Sequence, residues 1–73
     1  MGKTEIFHRH ENTPDYEVKM LLVALRRVNY ISESEMAKFI GIPKNYLVEY
    51  ERDSIVKKEY TAKYIDALEE YFS

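Results

Sequence analysis

The 73-residue chain contains no cysteine, so disulfide staples and cysteine-based zinc sites are excluded and no thiol nucleophile is available. Glycine is scarce. Gly2 and Gly41 are the only two, which leaves no glycine-rich loop to cradle a phosphate. The longest apolar run, Met20 to Leu25, is far short of the roughly 20 residues a membrane-spanning helix needs. Lys3, Glu5, Arg9 and Glu11 interrupt any signal-peptide pattern at the start, so a cytoplasmic location without membrane contact is the expectation. An excess of positive charge is also lacking: 11 Lys and Arg stand against 13 Asp and Glu, a formal net charge of -2. Phosphate contacts dominate nucleic-acid affinity, so a domain that binds DNA by itself is usually basic.

What the chain does have is helical punctuation. Its length allows one domain, burying roughly 60% of the unfolded chain's surface. Residues 1–12 lack periodicity and read as a tail, with Ile6 and Phe7 as candidate anchors, ahead of a folded domain from 13 to 73. Thr13-Pro14-Asp15 announces a first helix from Pro14 to Val28, with Thr13 as cap and acids at the positive end of the dipole. Ser32 and Glu35 form a capping box for a short second helix with Met36, Ala37 and Ile40 facing inward, ended by Gly41 in a left-handed conformation. Pro43 opens a third helix running to about Arg52, with Leu47 and Tyr50 inward. Asp53-Ser54 breaks the chain, and a fourth helix spans roughly Lys57 to Phe72. With no strand pattern and no repeat, the expectation is an all-α bundle of about four short helices.

Core assignments follow from the 3.6-residue period. On the first helix, Leu21, Leu22, Leu25 and Val28 suit the core, leaving Met20, Val23 and Ala24 on another side. On the fourth, Thr61, Ile65, Leu68 and Phe72 form the expected core stripe. Tyr60, Tyr64, Ala67 and Tyr71 form an adjoining stripe, which either packs beneath the tail or provides a second interface, since tyrosine offers apolar area with a polar tip. Glu51 is expected to pair structurally with Arg26.

Two short helices joined by a tight glycine-containing turn form a helix-turn-helix unit. The stretch from Ile31 to Arg52 resembles the Cro and phage-repressor helix-turn-helix family. Ser32, Glu35, Ala37, Gly41-Ile42, Leu47 and Glu51-Arg52 carry the likeness, and Leu22, Leu25 and Arg26 resemble the family's first helix. The likeness covers about residues 18–72. It implies that the third helix is the one that enters the DNA major groove, presenting Lys44, Asn45, Val48, Glu49 and Arg52.

The departures shape the functional expectation. Glu33 stands where the family usually has Gln, Val48-Glu49 where it has Ser and a basic or polar residue, and Asp53 where it has Gly. Between Ser32 and Lys58, five bases (Lys38, Lys44, Arg52, Lys57, Lys58) meet five acids (Glu33, Glu35, Glu49, Glu51, Asp53). Like charges set together at an interface cost several kcal/mol, more than the roughly 1–3 kcal/mol a good base contact returns. An acidic copy of a DNA-reading surface suits instead the basic reading surface of a repressor. In size and in its Glu-bearing third helix the chain is similar to small temperate-phage anti-repressors of the modulator-of-repression type. That likeness implies occlusion in the cytoplasm of a bacterial host: Glu33 and Glu49 pair with the repressor's Arg or Lys, while Tyr46 and Val48 add apolar contact. DNA is then engaged weakly or only within a complex.

Two other readings stand beside it. One is a Cro-like operator binder using the third helix directly, dimeric through the fourth or the first helix. The other is a protein-interaction module built on Tyr60, Tyr64 and Tyr71. His8 and His10 lie in the tail without acidic ligands placed by a motif, so neither a metal nor any other cofactor is expected. Both histidines lie in the tail, there is no cysteine nucleophile, and Glu69-Glu70 reads as a solvated pair, so catalysis is not expected.

Overall fold

A computed structural model describes residues 14–73, and the cap at Thr13, the anchors Ile6 and Phe7 and the pair His8 and His10 lie outside the described residues. Four helices follow in order: α1 (Pro14–Val28), α2 (Glu33–Ile40), α3 (Lys44–Arg52) and α4 (Lys58–Phe72). No strand occurs among the described residues, so the fold is all-α.

Each helix end has a local cause. α1 closes on a residue that is not glycine: Tyr30 adopts φ 58°. The amide of Ile31 donates to the Arg26 carbonyl at 3.1 Å and that of Tyr30 to the Arg27 carbonyl at 3.0 Å, a Schellman closure. The hydrophobic member of that motif is Ile31, which turns into the core. α2 begins with the reciprocal capping box: the Glu35 amide donates to Ser32 Oγ at 3.0 Å and the Ser32 amide to Glu35 Oε1 at 2.9 Å. It ends at Gly41, φ 87°, where the amides of Gly41 and Ile42 both reach the Ala37 carbonyl. A Cβ at position 41 would meet nothing within 4 Å, so the requirement for glycine there is conformational, not steric crowding. Pro43 sits just before the first residue of α3, its carbonyl accepting from Tyr46 and Leu47.

The core is one cluster. Met36 and Ala37 of α2, Leu47 and Tyr50 of α3, and Tyr64, Ala67 and Leu68 of α4 close around Leu22, Val23 and Ile31, with Ile40, Ile42, Val56, Tyr60 and Ile65 packed at its edge. Fully burying one such apolar side chain contributes about 1.5–3 kcal/mol.

Two helices are rotated relative to the sequence expectation. On α1 the buried stripe is Lys19, Leu22, Val23 and Arg26, while Leu21, Leu25 and Val28 face outward. Met20 and Ala24 lie off the core face as expected, but Val23, placed with them in the expectation, belongs to the core. On α4, Tyr64 and Ala67 join Leu68 inside, Thr61 and Ile65 lie at the margin, and Phe72 is exposed. The reason is polar: the buried face of α1 is the one that lets Lys19 and Arg26 satisfy partners on α3, and that pairing fixes the helix phase.

Tyr30 supplies a test of this packing. A left-handed non-glycine residue costs about 1–2 kcal/mol, of which glycine's extra unfolded-state entropy of about 0.5–1 kcal/mol returns part. Tyr30 is 93% exposed, so removing its side chain forfeits little packing. Tyr30→Gly is expected to raise unfolding stability by roughly 0.5–1 kcal/mol in urea titrations, and Gly41→Ala to lower it by about 1 kcal/mol.

Candidate functional site: the outer face of α3

The site is built from how α3 is held. Leu47, Tyr50 and Glu51 form its buried stripe. Glu51 is the anchor. Its carboxylate accepts two hydrogen bonds from one guanidinium, Arg26 Nε to Oε2 at 2.8 Å and Arg26 Nη2 to Oε1 at 2.9 Å. The Tyr64 hydroxyl donates to Oε2 at 2.7 Å. Arg26 spends a further donor, Nη1, on the Ile31 carbonyl at 2.7 Å. Side chains of α1 and α4 therefore converge on one carboxylate of α3, in the bidentate geometry that makes arginine–carboxylate pairs strong, while Arg26 also ties down the loop after α1. The pair expected between Arg26 and Glu51 is present.

A second clamp was not anticipated from the sequence. Lys19 is fully buried on α1, and its Nζ donates to the Tyr50 carbonyl at 3.1 Å and to the Asp53 carbonyl. These are the orphan carbonyls of the α3 C-terminus, where a cation complements the helix dipole. The ammonium also lies 4.7 Å from the Tyr16 ring centroid and 5.6 Å from that of Tyr50. The signal was available in the spacing: Lys19, Leu22, Val23 and Arg26 fall at i, i+3, i+4 and i+7, so an inward Arg26 carries Lys19 with it. A third link joins Tyr50 Oη and Thr61 Oγ1 at 2.6 Å. Among the described residues no buried side-chain polar atom lacks a hydrogen-bond partner.

These contacts leave Lys44, Asn45, Val48, Glu49 and Arg52 on the opposite side of α3. All are exposed except Val48, which is half-buried, and Tyr46 beside them is 48% exposed. Among the described residues, the side chains of Lys44, Asn45, Glu49 and Arg52 make no hydrogen bond or ion pair. Glu49 shares a shallow concavity of about 330 Å³ with Tyr46, Lys57 and Tyr60. The face is thus mixed in sign, with one unpaired carboxylate between two unpaired cations.

The remaining expected site residues separate. Glu33 is not a free acid: its Oε2 lies 4.0 Å from Arg26 Nη2 and its side chain is only 22% exposed, so it adds negative charge to the Arg26 cluster. Tyr60 is half-buried and borders the α3 face through the concavity it shares with Glu49. Tyr64 is fully buried and hydrogen-bonded to Glu51, which removes it from any interface. Tyr71 lies apart from Tyr60, with its ring centroid 6.2 Å from that of Phe39. The proposed tyrosine stripe is therefore split three ways and does not form one surface.

The buried groups titrate abnormally. Burial drives the Tyr64 phenol far above its usual range, and its hydrogen bond to Glu51 and that carboxylate's charge push it the same way. Burial also raises Tyr50. Burial opposes the charge on Arg26, yet the hydrogen bond and charge of Glu51 prevail and hold it above the ordinary arginine value. Burial lowers Lys19, resisted by Asp53 and Glu51.

No family model matches the chain, and neither a curated protein nor a solved structure matches it.

An alkaline stability profile follows. Above about pH 10 an unfolded tyrosine loses its proton while native Tyr64 keeps it, so the native state binds more protons and stability falls as pH rises. The slope approaches about 1.4 kcal/mol per pH unit for each such tyrosine. Lys19 acts in the opposite sense between its lowered native value and 10.5, where the unfolded chain holds more protons. Tyr64→Phe is expected to flatten the loss of stability between about pH 10.5 and 12 by close to one tyrosine's slope. Urea midpoints measured across that range check it.

Proposed function

We propose that α2 and α3 form a helix-turn-helix that works as a phage-type anti-repressor, a transcription regulator that binds the DNA-binding domain of a partner repressor. The observation that carries this reading is Glu49, an exposed carboxylate with no counter-ion among the described residues, on the outer face of α3 beside the exposed ring of Tyr46 and the half-buried Val48. An unpaired acid beside apolar surface suits a basic protein surface. It repels the phosphates of a duplex, and opposite charge speeds the encounter with a protein partner. Lifting repression in a lysis–lysogeny type of genetic switch, in a bacterial cytoplasm, is the role such an interaction serves.

Glu33 supports this in a reduced capacity. Arg26 faces two carboxylates, Glu51 at hydrogen-bonding distance and Glu33 at 4.0 Å, so the start of α2 keeps residual negative charge.

One specific observation favours a second reading. Lys44, Asn45 and Arg52 are exposed on the same face of α3, and these residue types contact phosphates and base edges. In that case the chain is a Cro-like operator binder.

Gel-shift assays with operator DNA separate the two. The anti-repressor reading expects no shift with this chain alone and loss of the shift made by the cognate repressor when the chain is added. Glu49→Arg is expected to weaken the repressor complex about tenfold or more, 1.4 kcal/mol per decade, by placing like charges in contact. Repressor affinity unchanged in that variant removes the mechanism built on Glu49. Sequence-specific binding by the chain alone, falling steeply with salt, establishes the operator reading instead.

A further inference from the structure

A concavity of about 350 Å³ opens between the end of α2 and the last turns of α4, lined by Phe39, Ala67, Glu70 and Tyr71. None of these residues belongs to α3. Phe39 and Tyr71 remain 54% and 45% exposed, with ring centroids 6.2 Å apart and planes tilted by 51°. The ring of Phe72 meets that of Tyr71 nearly perpendicular at 5.3 Å, which steadies it. Ser73 closes the same turn, its amide and hydroxyl both donating to the Glu70 carbonyl. Two aromatic rings on a fixed backbone therefore stand beside one exposed carboxylate. The side chain of Glu70 makes no hydrogen bond or ion pair among the described residues.

The surroundings add negative charge. Glu59, Lys63, Asp66 and Glu70 follow one another at four, three and four residues, so they share one exposed flank of α4, three acids against one base. The last turn of α4, the negative end of its dipole, carries no basic residue. On α2 the neighbour of Phe39 is Lys38, but it points about 100° away round the helix.

Rings beside an unpaired acid select a cation, because ring faces attract positive charge and the carboxylate supplies the counter-ion. Among protein side chains arginine suits both halves. Its guanidinium is planar and weakly hydrated, stacks on aromatic rings, and offers a fork of donors to a carboxylate. A purely apolar occupant strands Glu70 away from water without a partner, and a phosphate is repelled by it. We propose that this concavity receives an arginine side chain of a protein partner, the guanidinium lying against Phe39 and Tyr71 and donating to Glu70. It is a second contact surface, separate from the outer face of α3, and does not depend on what that face binds.

The test is a heteronuclear NMR titration of the full chain with N-acetyl-arginine amide at constant ionic strength. The backbone amides of Phe39, Ala67, Glu70 and Tyr71 are expected to shift together and saturate. N-acetyl-citrulline amide, of the same length but uncharged, is expected to bind about fivefold more weakly, and Glu70→Gln to weaken the arginine probe to a similar extent. Tyr71→Leu keeps apolar area but removes the ring, and is expected to cost about threefold. Both residues are exposed, so the fold is retained and the rest of the spectrum stays in place. Equal affinity for the charged and uncharged probes overturns the proposal. Unmoved amides around the concavity overturn it too, whether residues 1–13 fill the space or nothing does. Shifts centred on Glu49 instead contradict it while leaving the α3 reading intact.

Discussion

One carboxylate holds the arrangement together. Glu51 is buried on α3, where Arg26 of α1 meets both of its oxygens and Tyr64 of α4 donates to one of them. A lone buried charge costs several kcal/mol, and a paired one is tolerated when geometry and further hydrogen bonds compensate. The consequence is positional. α1, α3 and α4 cannot rotate independently without breaking a buried, charge-assisted contact. Lys19 adds a constraint at the other end of the same face, seating its ammonium on the last carbonyls of α3. A helix of nine residues, too short to be stable alone, is thereby presented in a fixed orientation.

That orientation decides which side chains reach solvent. With Leu47, Tyr50 and Glu51 committed inward, Lys44, Asn45, Glu49 and Arg52 point away from the bundle, without partners among the described residues. The outer face is rigid in backbone and unsatisfied in charge, a combination suited to recognition rather than to packing. The repressor-capture proposal draws on that contrast between an inner face saturated with polar contacts and an outer face whose charged side chains make none among the described residues.

The sequence was legible wherever a local rule acts alone. Ser32 and Glu35 announce their capping box, Gly41 its left-handed turn, and the four helices appear within a residue of their expected bounds, α4 starting at Lys58 rather than Lys57. Phase was harder. From Met20 to Leu25 every residue of α1 is apolar, so periodicity cannot say which stripe turns inward, and the lysine at 19 argues superficially against the true one. The expected Arg26–Glu51 pair held the answer, because an inward Arg26 is incompatible with Leu21 and Val28 in the core. Tyr64 was misplaced for a related reason. A tyrosine beside other tyrosines reads as surface until a buried acceptor for its hydroxyl is known, and that acceptor lies 13 residues away on another helix. Glu33, read as a free acid, is half-committed to the same cluster.

The most direct measurement is a double-mutant cycle on Arg26 and Glu51 by urea unfolding. Arg26→Met leaves Glu51 without its bidentate partner, and Glu51→Met leaves Arg26 with only Glu33 at 4.0 Å; each is predicted to cost about 3–5 kcal/mol, while the double variant removes both charges and is predicted to be more stable than either single one. Single losses below about 1 kcal/mol that simply add in the double variant would contradict the account, because Glu51 would then not be what fixes α3.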